Sequence, residues 1–158
     1  LAETRSRWTI ANMDRQLITK LYAELWTDGL WAAPWSKAVA DLSAAQAAWK
    51  PAPDRKSIWQ GVIHVTFWRE YFLDRELTGA TLPQDEIAAR HFADPAVVSD
   101  QAWADARQKF KASHDRVIAA ARDSKIDVEK FAAMLAHDAY HLGQAMYLRA
   151  LQGLKPIE

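Results

Sequence analysis

Apolar residues recur along this chain three to four positions apart, and no run alternates apolar and polar residues between turn signals as a half-buried strand would. Leu17, Leu21 and Leu25, flanked by Ile18, Tyr22 and Trp26, predict a first helix from about Ile10 to Gly29 with a broad apolar face. Trp31 to Trp35, with Pro34 inside it, predicts a break. A short helix is expected from Ser36 to Leu42, with Ser36 capping its start or just inside it. Pro51 and Pro53 cannot continue a helix, because each lacks an N–H and restricts its predecessor. Ala48 to Asp54 therefore reads as an extended connector pinned by Trp49.

Ser57 followed three residues later by Gln60 is a capping-box pattern, and it opens a second long helix running to about Thr78 and ended by Gly79. Ile58, Val62, Ile63, Val65, Phe67, Trp68, Phe72, Leu73 and Leu77 make this helix apolar almost all round, so it is expected to be well buried, with His64 inside it. Ala80 to Ser99 is the longest irregular stretch, with a short helix expected from Gln84 to His91. A connection of this length crosses a fold or serves as a lid. Trp103, Phe110, Val117 and Ala121 stripe a third helix from Asp100 to Arg122. A fourth runs from Val128 to Gln152, capped by Asp127 and stopped by Gly153 and Pro156. Its apolar positions are Phe131, Met134, Leu135, Leu142, Ala145, Met146 and Leu148. The expected fold class is all-α: one domain over residues 1–158, a four-helix bundle whose second and third helices are joined by the one long connection and so run parallel.

Composition narrows the partners. Lysine plus arginine equals aspartate plus glutamate, so the zero net charge argues against nucleic acid and against a strongly anionic membrane surface. No apolar run reaches the roughly eighteen residues of a spanning helix. The chain has no cysteine, which excludes disulfides, zinc fingers and a protein thiol nucleophile and fits a cytoplasmic location. Leu1 to Arg7 carries two arginines and no apolar core, unlike a signal peptide, and a first residue of leucine leaves room for a removed upstream segment.

The chemistry centres on His137 and His141. At 100° and 1.5 Å per residue they stand about 40° apart around a helix and about 6 Å apart along it, so both rings can reach one ion. Met134, Ala145 and Leu148 share their face, which therefore looks inward. Two ligands hold a divalent metal poorly, and His64 is the best third candidate. A shared metal also removes the desolvation cost of three unpaired imidazoles in a core. His91, in the connector, reads as solvent-facing, and His114 as a boundary position with an inward turn as the alternative. Trp68, one turn beyond His64, is expected to wall the pocket. Gln144 is placed beside the metal's open positions, with a packing hydrogen bond as its other reading. Tyr71 and Tyr140 are candidate donors lining the pocket, and core residues otherwise. Asp138 reads as pointing outward, the alternative being a group that orients a ligand histidine. No glutamate stands three residues before His64, His137 or His141, so Glu-x-x-His di-iron chemistry is excluded. There is no nucleophile elbow and no phosphate-cradling glycine loop.

Ser57-Ile58-Trp59 followed by His64, Trp68 and Gly79 resembles the second-helix motif of DinB/YfiT-like proteins. His137-Asp138-Ala139-Tyr140-His141-Leu142-Gly143-Gln144 followed by Arg149 resembles their fourth-helix motif, and Trp49 and Pro51 also fit. The resemblance runs from Leu17 to Gly153, while Ala80 to Ser99 matches nothing in particular. It implies a four-helix bundle of up-down-down-up course, a three-histidine metal centre of His64, His137 and His141, and a homodimer. Characterised relatives include thiol-dependent transferases and isomerases that use small thiols such as bacillithiol or mycothiol. Related sequences often carry a histidine-glycine pair where this chain has Ala32 and Ala33, so any role of that histidine is absent here.

The expected function is a metal-dependent enzyme, a thiol S-transferase or a hydrolase, acting on a small molecule with zinc, nickel, iron or manganese as cofactor. With no cysteine in the chain, a thiol must arrive as co-substrate. The alternative is a non-catalytic, metal-stabilised bundle acting as a dimeric binding protein, for which eight tryptophans leave scope in an exposed patch.

Overall fold

A computed structural model describes the backbone of residues 2–157 and the side chains of residues 14–157. The reading of Leu1 as the trace of a removed upstream segment lies outside the described residues. Among them every regular element is helical: α1 (Ala2–Thr27), α2 (Trp35–Ala40), α3 (Ala44–Ala48), α4 (Ile58–Thr78), α5 (Gln84–Arg90), α6 (Asp100–Asp123) and α7 (Val128–Leu151). No helix among them is long and apolar enough to cross a membrane.

Helix α1 begins before Ile10, because no proline or glycine interrupts the chain from Ala2 to Thr27. Ile18, Tyr22 and Leu25 face the core, but Leu17 is 56% exposed and lies off the buried face. The break after α1 turns on Gly29, at φ +79°, where a Cβ would collide with the Ala32 carbonyl oxygen. Only glycine fits that turn. Helix α2 starts one residue before the expected Ser36, after Pro34, which gives no side-chain cap. Helix α3 was not anticipated. Its five residues are too few to show an apolar stripe, yet Ser43 and Gln46 form a full capping box and Ala44 and Ala47 are buried. Trp49 does not pin the connector that follows, since it is 37% exposed. The connector is tied instead by Lys50, whose ammonium lies 2.7 Å from Asp94.

At the start of α4 the Gln60 N–H donates to Ser57 Oγ and the Ser57 N–H donates to Gln60 Oε1, each at 3.1 Å. Gly79 closes the helix at φ 77°. Because Ser57 is buried, Ser57→Ala is expected to cost about 1–2 kcal/mol, measured as a lower urea midpoint with unchanged slope. Ser99 and Asp127 cap α6 and α7 with side-chain oxygens.

The long helices α1 and α4 each pack against both α6 and α7. One apolar cluster contains Trp35, Trp59, Val65, Trp103, Phe110 and Leu142. A second contains Ile18, Tyr22, Phe72, Val117 and Phe131. Along α4, α6 and α7, the buried polar residues Arg69, Ser113, His114 and Asp138 fall between the positions given to the two clusters. Arg149 ties α7 to the end of α2, donating to the Ala38 carbonyl at 3.0 Å and to both Asp41 oxygens at 2.7 and 2.9 Å. Trp103 Nε1 donates to the Leu42 carbonyl at 2.9 Å. The segment after α5 is held to α4 by Gln60 Nε2, which donates to the Phe92 carbonyl at 3.1 Å. That bond lays His91 and Phe92 against His64.

Candidate metal centre

Helix α4 carries His64 on a buried face, and α7 presents His137 and His141 one turn apart toward it. One ring nitrogen from each of the three lies within 4.8 Å of the others, a grouping that could hold a metal ion. His64 and His141 are buried and His137 is half-buried.

The outer nitrogens explain the arrangement. His64 Nδ1 lies 3.1 Å from the His91 carbonyl oxygen, which can only accept, so Nδ1 carries the proton and donates it. His137 Nδ1 lies 3.2 Å from Asp138 Oδ1, and His141 Nδ1 lies 2.8 Å from Gln144 Oε1. Each ring thus turns Nδ1 toward an oxygen, and a neutral ring that donates from Nδ1 keeps its Nε2 lone pair for a metal. The ε nitrogens of His64 and His137 lie 3.2 Å apart, and with both rings neutral and donating from Nδ1 their lone pairs would face each other. Two unprotonated nitrogens repel at that distance unless a cation sits between them. Nitrogens bound to one tetrahedral ion at about 2.0–2.1 Å stand about 3.3 Å apart, so the donor set fits a metal. Outer hydrogen bonds of this kind are what orient metal-binding imidazoles.

Burial favours the neutral form of His64 and His141. Burial, then the imidazoles of His141 and His137, pushes His64 down to about 3. Burial, followed by the His137 imidazole, lowers His141 as well. Neutral imidazole is the form that binds metal. Phe92 stacks on His64, with centroids 3.8 Å apart and planes 16° apart.

A cleft of about 1230 Å³ opens beside the histidines. His64 and His141 form part of its wall, with Tyr140, Gln144 and Phe92; Arg55 and Lys56 are among the other lining residues. Trp68 and Tyr71 lie outside the cleft, contrary to expectation. Trp68 meets His64 and His91 edge-on at 6.2 and 6.1 Å. Tyr71 is about 10 Å further along α4 than His64, at 1.5 Å per residue, and lines a separate cavity of about 460 Å³ with Phe67.

A family comparison bears on these positions. The sequence profile of the DinB superfamily matches residues 31–145. The chain belongs to the DinB superfamily. The matched stretch of this DinB protein contains His64, His137 and His141 together with the connector that places His91 and Phe92. No curated protein and no solved structure matches the chain.

Several expectations for this DinB protein need correction. His91 is half-buried rather than solvent-facing: its carbonyl accepts from His64, and its own Nδ1 lies 3.3 Å from His64 Nδ1. Asp138 points inward and is fully buried, because Arg69 draws it there, with Nε 2.7 Å from Oδ2. His114 is not at the boundary but 1% exposed, packed on Trp26 and Tyr22. Its signal was present, since it stands four residues after Phe110 and three before Val117, on the buried stripe. Neither ring nitrogen of His114 has a partner among the described residues, nor do Tyr22 Oη and Arg69 Nη2. Burial, then the Arg69 guanidinium, pushes His114 down to about 3, and burial followed by Asp138 raises Tyr22 well above its ordinary value. Arg69 and Phe92 were missed as site residues. Phe92 sits in a stretch without periodicity, and nothing local to Arg69 sets it apart from a solvated arginine.

Proposed function

We propose that this protein is a metal-dependent enzyme in which His64, His137 and His141 hold one divalent transition metal and a small molecule reacts in the adjoining cleft, by thiol transfer or by hydrolysis. The observation that carries the reading is the convergence of three imidazoles whose outer nitrogens are already engaged, at the wall of an open cleft. Zinc, nickel, iron and manganese are the candidate ions, with imidazole favouring the first three. Such an ion, when bound, supplies Lewis acidity that brings water or a thiol to its anionic form near neutral pH.

The chain's own groups do the rest. Gln144 accepts from His141 through Oε1, which leaves its amide N–H groups to donate into the cleft. Tyr140 is 63% exposed and offers a hydroxyl there. Phe92 covers one face of His64 and keeps water from it. Because the chain has no cysteine, a thiol would enter as co-substrate.

The up-down-down-up course and a single domain belong to the same reading, and the helix pairings support them. Trp59 meets Trp103 and Asp74 meets Arg116, so α4 and α6 advance together. His64 meets His141 and Glu76 meets Lys130, so α7 runs against α4. Arg15 reaches the Ala121 carbonyl while Trp26 lies on Phe110, so α1 runs against α6. A cytoplasmic homodimer completes the proposal, as the resemblance to DinB/YfiT-like proteins implies. A non-catalytic metal staple would be a closed, fully protein-ligated site, whereas three histidines beside a cleft leave coordination positions open, and that favours the enzyme.

The test is metal loading of the purified chain with zinc, nickel and manganese, read by mass spectrometry. The wild-type chain is expected to retain about one equivalent, and a variant with all three histidines changed to alanine about none, with helix content preserved by circular dichroism. Wild-type protein that retains about a tenth of an equivalent or less sinks the reading.

A further inference from the structure

His137 is the least enclosed of the three histidines, with a side chain 30% exposed. His64 is clamped by the Phe92 ring and the His91 carbonyl, and His141 is buried beside Gln144. Among the described residues only Asp138 holds His137 on its outer side. An aspartate adjacent to a ligand on a helix would ordinarily project about 100° away from it. Here the carboxylate is fully buried and divided between two donors, with Oδ1 on His137 Nδ1 at 3.2 Å and Oδ2 on Arg69 Nε at 2.7 Å. Arg69 is itself fully buried and anchored on α6. Its Nη1 donates to the Phe110 carbonyl at 3.3 Å and to Ser113 Oγ at 3.4 Å, and its Cζ lies 4.6 Å from the Phe110 ring centroid. A continuous set of hydrogen bonds therefore runs from α6 through Arg69 of α4 and Asp138 of α7 to His137.

We propose that Arg69 is a positioning residue for the metal centre: by fixing the Asp138 carboxylate it fixes the tautomer and ring plane of His137, and so strengthens metal binding. The inference rests on His64, His137 and His141 being the metal ligands. A merely structural ion pair would contribute to folding and leave the affinity of a folded chain untouched.

The experiment measures zinc and nickel dissociation constants by competition with a chromogenic chelator, with helix content and unfolding midpoint recorded in parallel. Arg69→Met keeps the length of the side chain and removes the guanidinium. Asp138→Leu keeps the branched shape and removes the acceptor. The double variant replaces the pair with apolar groups of similar outline and guards against a variant that fails to fold. Each single variant is expected to bind metal about 10- to 100-fold more weakly, the usual consequence of losing an outer hydrogen bond to a ligand. The double variant is expected to be no weaker than Asp138→Leu alone, because Arg69 acts only through Asp138. Arg69→Lys, which restores the charge without the fork, is expected to recover part of the loss. Wild-type affinity in folded Arg69→Met, or in the folded double variant, overturns the inference, as do losses that multiply. A wild-type chain that binds no metal overturns the ligand assignment and this inference with it.

Discussion

Asp138→Ala lowers the stability of the protein by about 3–5 kcal/mol, because it leaves the Arg69 guanidinium buried without its counter-charge. Both side chains are fully buried, so water cannot replace the lost carboxylate. The exposed pair of Asp74 and Arg116 is the internal control. Its side chains are 56% and 49% exposed, and Asp74→Ala is expected to cost less than about 1 kcal/mol. Urea unfolding of the three proteins, followed by circular dichroism, measures both differences. Equal and small effects at the two sites would show that the buried pair is relaxed by solvent and would remove the case for Arg69 as a fixed group.

Acidification from pH 6.5 to 4 destabilises the protein by about 3 kcal/mol through His114 alone. Burial and the Arg69 guanidinium push His114 from its ordinary 6.5 down to about 3, so the native state refuses a proton that the unfolded chain accepts. Above pH 6.5 neither state is protonated there, and the group makes no difference. Between 6.5 and 3 the unfolded state binds the extra proton, and stability falls by about 1.4 kcal/mol for each unit of pH lost. His64 and His141 are also lowered, so the whole-protein curve is steeper than this one group makes it. Comparison with His114→Phe isolates the group, since phenylalanine keeps the ring contacts with Trp26 and Tyr22. Unfolding free energies of the two proteins are expected to converge at neutral pH, apart from a constant offset, and to diverge by about 3 kcal/mol at pH 4. Parallel curves would show that His114 takes up a proton in the folded state.

Much of this architecture was legible before folding was considered. The long helices announce themselves by apolar spacing, and Ser57 with Gln60 and Gly79 mark the ends of α4 as clearly in sequence as in structure. The short elements were legible in part: α5 lies where a helix from Gln84 to His91 is expected and α2 starts one residue from Ser36, but α3 was not anticipated. Helix α3 rests on alanines that carry no stripe, although Ser43 and Gln46 repeat the capping pattern of Ser57 and Gln60, and the start of α2 at Trp35 follows a proline that offers no side-chain cap. The site divides in the same way. His137 and His141 share a face by helix geometry alone, and the inward turn of His114 could be read from Phe110 and Val117. Arg69 and Asp138 are 69 residues apart, and no local pattern distinguishes a charge that meets its partner across a bundle from one that meets water.

The amino-acid sequence by itself determined that the chain is all-helical, which face of each long helix is apolar, and that two histidines stand one turn apart on α7. These follow from a backbone that turns about 100° per residue whatever surrounds it. The tertiary structure alone decided that His64 comes within reach of that pair, that each imidazole turns Nδ1 outward, and that Asp138 faces Arg69 rather than solvent. Those outcomes depend on the register and rotation of one helix against another. Register and rotation are set by how Trp59, Trp103, Phe110 and Phe131 pack across the bundle, which no helical period encodes.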